Sequence, residues 1–154
     1  MKKKEFRNKY LKAILCEDDE LTNYLMKEIL LSLYMANKGI AQNDEDYFNT
    51  VQAVLNELLK RCNDNSIKIK IVYSIDNINP EHYKIQSFET IELIRDVIDG
   101  YKDPFLAYLV SNTVKYLMRF QYKGKPIEDL KKSIWYISKA MEHAKQRQYF
   151  KGSD

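Results

Sequence analysis

The 154-residue sequence predicts a mainly α-helical fold, a bundle of about six helices with one β segment at the centre of the chain. Three observations carry this. Apolar residues recur at helical spacing through most of the chain, as in Leu21, Leu25, Ile29 and Leu33. The 4 glycines and 3 prolines are scarce, which suits a helix-rich chain, and most stand where helices begin or end. One stretch alone, Ser66 to Ile75 (SIKIKIVYSI), alternates apolar and polar residues and is rich in β-branched side chains.

In chain order, the first helix is expected at Lys4 to Leu15, the second at Asp18 to Asn37 and the third at Asp44 to Arg61. Acidic residues open the second and third, where the positive end of a helix dipole favours them, and Lys38-Gly39 reads as a C-terminal cap. The second helix is apolar around much of its circumference, which predicts burial on more than one side or sharing with a partner chain. The β segment needs a partner strand, and the same segment of another subunit could supply one. Asp76 to Ser87 is a turn-rich joint, because Pro80 forces Asn79 out of helical geometry. Beyond it come helices at Ser87 to Asp99, Asp103 to Tyr122 and Ile127 to Arg147, with Ser87 as an N-cap, Gly100 as a C-cap, Pro104 at a first helical position and Gly124-Lys125-Pro126 as a sharp turn.

The length suits one compact unit, divided at the joint into an N-terminal helical and assembly section (1–75) and a C-terminal helical section (76–154). A 45% hydrophobic and 31% charged composition argues against disorder. The net charge of +3 is spread over both halves, which argues against a sequence-independent nucleic-acid binder. No apolar run approaches the ~20 residues that span a bilayer, and MKKKEFRNKY lacks the apolar core of a secretory signal, so a cytoplasmic protein is expected. Cys16 and Cys62 are too far apart, and too few, to support a disulfide framework or a zinc site.

Chemistry concentrates in the last two helices. On the helix from Asp103, Asn112, Lys115, Tyr116, Arg119 and Lys123 gather opposite Leu106, Val110, Val114 and Leu117. On the last helix, Asp129, Lys132, Ser133, Tyr136 and His143 lie away from a stripe of Ile127, Leu130, Ile134, Ile137 and Met141. A short joint makes the two helices antiparallel neighbours, so their polar ridges could border one groove. Lys115, Arg119 and Lys132 would offer charge-assisted bonds to a phosphate, with Tyr116 or Tyr136 stacking on a base. The same spacing is also what the solvated faces of two amphipathic helices would show. His82, in the turn NPEHYK, could contact phosphate or act as a general acid or base. Glu89, Glu92 and Asp96 share a helix face, but the second acidic pair a Mg²⁺ site would want is poorly supplied, so no metal site is assigned. Neither GxxxxGK[ST] nor GxGxxG occurs, so any nucleotide is held without a P-loop or Rossmann cradle.

The order NPEHYK, FETIELIRDVI and SNTVKYLMRFQYKGKPIEDLKKSIWYI resembles the SaV-like family of small bacteriophage proteins. The matching positions are His82, Tyr83, Lys84, Asn112, Lys115, Tyr116, Arg119, Lys123, Asp129, Leu130, Lys132, Trp135 and Tyr136. Two positions depart from the family's pattern: Ser111 stands where glycine is common and Ser133 where alanine is. The family includes a kinase of deoxynucleoside monophosphates without a P-loop, and a member noted for interacting with a bacterial abortive-infection protein. The resemblance therefore implies two readings. In the first, His82, Arg119 and Asp129 are catalytic, Tyr83, Lys84, Asn112, Lys115, Tyr116, Lys123, Lys132 and Tyr136 bind the nucleotide, and Mg²⁺ arrives with that nucleotide. In the second, the chain is a non-catalytic anti-defence or host-takeover factor that binds a bacterial protein. Both place it in the cytoplasm of an infected bacterium, and the apolar N-terminal helices add an expectation of homo-oligomers.

Overall fold

A computed structural model describes residues 1–14, 19–36, 44–67, 69–73, 78–84 and 86–150. Cys16, the Lys38-Gly39 cap and parts of the 66–75 segment lie outside them. Among the described residues the chain forms six helices: α1 (Lys3–Phe6), α2 (Glu20–Ala36), α3 (Asp44–Asn63), α4 (Thr90–Ile98), α5 (Pro104–Arg119) and α6 (Pro126–Gln146). None of them is long and apolar enough to cross a membrane.

Local chemistry fixes several boundaries. Asp19 caps α2, its carboxylate accepting from the Thr22 backbone N–H and hydroxyl. Asp103 does the same for α5 through the backbone of Phe105 and Leu106, with Pro104 in the first turn as expected. The cap of α4 corrects the reading of Ser87: α4 starts at Thr90, and the Glu89 N–H donates to the carboxylate of Glu92 one turn ahead. The first helix runs on from α1 into a π turn at Arg7–Leu11, closed by Lys12 N–H donating to Arg7 C=O at 3.0 Å.

No strand occurs among the described residues, so the expected central β segment is not seen there. Residues 69–73 run as an extended strap over the turn between α5 and α6. Lys70 and Val72 donate to the carbonyls of Gln121 and Tyr122 at 2.9 and 2.7 Å. Its residues alternate in type as a strand's do, and Lys70 and Val72 use alternate N–H groups. Their acceptors, however, are consecutive carbonyls at a helix end, which form no ladder.

α5 packs along α6, α6 along α3, α3 along α2, and α4 sits against α5 and α2. One core runs through both halves of the chain, from Phe6 and Tyr10 through Ile29, Leu55, Leu93, Val114 and Leu130 to Phe150. The broad apolar surface of α2 is thus accounted for inside one chain, where Ile29, Leu30 and Leu33 are fully buried. Tyr10 ties the π turn to α4 by donating to Asp96, which also takes Lys9 at 3.0 Å. Asp96 and Glu92 therefore have protein partners, and no group of metal-ligating side chains occurs among the described residues.

Candidate functional site

The site is built on the α5–α6 hairpin and the turn of 3₁₀ helix at Glu81–Tyr83, which docks on α5. Gly124 turns the chain between the two helices with φ of +92°, a conformation glycine adopts without steric cost. That turn brings Lys132 of α6 level with Tyr116 of α5. Three cations surround the Tyr116 ring: the Arg119 guanidinium carbon lies 4.9 Å from its centroid, and the amines of Lys115 and Lys132 each lie 5.3 Å away. Tyr116 in turn stacks on Tyr136, with centroids 5.8 Å apart and planes 12° from parallel. Of the polar residues on the two helices, Lys115 and Tyr116 of α5 and Lys132 and Tyr136 of α6 are brought together here.

Arg119 and Asp129 meet in a different way. Both are buried, at 7% and 0% exposure, although the spacing puts them on polar ridges away from the apolar stripes. The guanidinium holds the Asp129 carboxylate through Nε at 3.2 Å from each oxygen and Nη2 at 3.1 Å from one, and Nη1 donates to the Tyr83 hydroxyl at 3.3 Å. Burial works against the charge on Arg119, and the bonds to Asp129 and Tyr83 more than restore it, so the guanidinium stays firmly protonated. This pair pins the turn, α5 and α6 to one another. Ser133 is likewise buried, donating to the carbonyl of Thr113 at 2.8 Å. The buried arc of α6 is wider than one stripe because it serves both α5 and α3.

His82 is buried beside Tyr83, with ring centroids 4.1 Å apart, and its Nε2 has no hydrogen-bond partner among the described residues. Burial pushes its pKa down, and the positive charges of Lys123, Arg119 and Lys115 push the same way while Asp129 opposes them. His82 is therefore neutral at pH 7 and faces a positive field.

The remaining expected residues divide. Lys123 is exposed and close enough to influence His82. Lys132 is held by Glu128 at 3.0 Å, which raises its pKa and keeps it charged. Lys84 pairs with Glu81 in the turn itself. The Asn112 side-chain N–H and the Ser111 hydroxyl donate back to the helix carbonyls of Tyr108 and Ala107.

Sequence reasoning missed an aromatic groove of about 320 Å³ that adjoins this cluster through Tyr136. Its rings are Phe105, Tyr108 and Trp135, all more than half exposed. Phe105 lies 6.2 Å from Tyr108, and Tyr108 lies 6.2 Å from Tyr136. The signal was available: 105, 108 and 116 share one face of α5, and 135 and 136 lie a turn from 132. At the far end of the groove the Asp103 carboxylate joins His143 and Tyr149, each at 2.7 Å, and these bonds hold its pKa well below the usual carboxylate range against the opposing effect of burial.

Residues 78–138 match the model of the family DUF3310, described as a protein of unknown function. The match takes in the 80–84 turn, α4, α5, the first part of α6 and every candidate residue from His82 to Tyr136. No curated protein and no solved structure matches the chain.

Proposed function

We propose that the α5–α6 hairpin binds a nucleotide, with phosphate at the cationic end and the base against the rings. The observation that carries this is the Tyr116 cluster, in which three cations surround a ring stacked on Tyr136. Lys115, Lys123 and Lys132 neutralise the phosphate, and His82, whose buried Nε2 has no partner among the described residues, donates or accepts one bond to it. Tyr136 and the groove beside it take the base, since any base presents a face to an aromatic platform. Arg119 and Asp129 position the turn and the helices. Phosphoryl transfer to a deoxynucleoside monophosphate without a P-loop is the activity the SaV-like resemblance adds, and such a reaction relies on cations and placement more than on covalent chemistry. Mg²⁺ would come with the nucleotide.

The test is a thermal-shift series with nucleoside mono- and triphosphates. A ligand at 100 times its dissociation constant stabilises the folded chain by about 2.7 kcal/mol. Stabilisation by a nucleotide, and none by the free nucleoside, is the expected result. No shift with any nucleotide would exclude the reading.

A second reading, the phage factor that binds a bacterial protein, is favoured by a different observation: cations with no ion pair among the described residues cluster on the N-terminal helices, away from the hairpin. Self-association is proposed for either reading, through the exposed apolar side chains of the strap at Ile69, Ile71 and Tyr73.

A further inference from the structure

A groove of about 720 Å³ lies between the first helix and α2. Lys3, Lys4, Arg7, Lys12 and Lys27 stand around it, and Glu28 is the one acidic side chain among the described residues on its walls. No ion pair engages any of these five cations among the described residues, whereas Lys9, on the other side of the same helix, is paired with Asp96. Its floor is apolar: Leu11 is buried, Leu31 is half-buried, and the exposed ring of Tyr24 stands at the rim. The wall on the first helix includes the π turn, where five residues rather than four are spanned by the bond from Lys12 to Arg7. Such turns recur at functional sites.

Cations gathered in this way repel one another, and an acidic partner would remove that repulsion. A nucleic-acid backbone would satisfy the charges, but it offers nothing to Leu11 and Leu31, and one tyrosine is a poor stacking platform. A peptide with carboxylates flanking an apolar side chain satisfies walls and floor together. We infer that the groove between the first helix and α2 docks an acidic, amphipathic segment of a partner protein, seating a leucine-like side chain on Leu11 and Leu31. The inference rests on the protein-binding reading and is independent of the hairpin site.

The test measures fluorescence anisotropy with the full chain and three labelled probes. These are an acidic helical peptide with leucines at every third and fourth position and glutamates between them, the same peptide with its leucines replaced by serine, and a single-stranded oligonucleotide of equal charge. The leucine-bearing acidic peptide should bind at least about ten-fold tighter than either control, the difference one buried apolar side chain supplies. Lys4→Glu/Arg7→Glu, at exposed positions, should abolish that preference with the circular dichroism unchanged. Equal binding of both peptides, tighter binding of the oligonucleotide, or no binding of the acidic peptide would each overturn the inference. Capture of one bacterial protein equally by the wild-type chain and by Lys4→Glu/Arg7→Glu would overturn the groove while leaving the protein-binding reading standing.

Discussion

At the scale of single residues, Arg119 and Lys115 lie one turn apart on α5 in opposite surroundings, the first buried against Asp129 and the second half-buried beside Tyr116. Lys115, Tyr116 and Lys132 converge as helical spacing suggests, because each needs only the correct face of its own helix. Arg119 was misplaced because its burial depends on Asp129 of α6 and Tyr83 of the turn, and no local pattern reports such partners. The consequence is a sharp difference between neighbours. Arg119→Ala leaves the Asp129 carboxylate buried and alone, which should cost about 3–5 kcal/mol of stability in a denaturant titration. Lys115→Ala should change stability by less than about 1 kcal/mol. His82 supplies a second residue-scale prediction. Its pKa is lowered from an ordinary value of 6.5, so the unfolded chain takes up a proton that the folded chain resists. Stability contributed at this position is complete above pH 6.5 and declines as the pH falls through the window below it. An NMR titration should find the imidazole titrating below 6.5 in the free protein, and higher when a nucleotide phosphate is bound. An ordinary or raised value in the free protein would contradict the placement.

Among the elements, helix existence was legible, and boundaries were legible wherever a cap is local. Asp103-Pro104 marks the start of α5 because the carboxylate acts within its own turn. The strap at 69–73 was not legible, since its hydrogen-bond acceptors at Gln121 and Tyr122 lie some fifty residues away in sequence. Two substitutions test the hairpin that carries the site. Gly124→Ala places a Cβ in ordinary contact with Ile71, at 3.7 Å, so the cost comes from the left-handed backbone alone and should be about 1–2 kcal/mol. Asp103→Ala removes the cap of α5 and the shared acceptor of His143 and Tyr149, and should cost about 1–3 kcal/mol. Thermal melts check both, and a neutral effect of Asp103→Ala would contradict the network drawn around it.

For the molecule as a whole, one core joins the N-terminal helices to the hairpin, and the two regions of functional interest open on different helix pairs. The sequence suggested an apolar N-terminal half available for assembly, but most of that surface is used inside the chain. The strap does expose apolar side chains, with Tyr73 86% exposed. Light scattering at micromolar concentration should therefore report more than one chain per particle, and Ile69→Asp/Tyr73→Asp should reduce it to one. A wild-type monomer would contradict the assembly proposal without touching the hairpin. The hairpin itself is tested most directly by calorimetric titration of the nucleotide that gives the largest thermal shift, into the wild-type chain and into Lys115→Ala/Lys132→Ala. Both lysines lie at the surface around Tyr116, and removing each charge-assisted bond to the phosphate should weaken binding by about ten-fold or more. The account predicts a weakening of about a hundred-fold with an unchanged melting temperature in the absence of ligand, whereas equal affinity in the two proteins would contradict it.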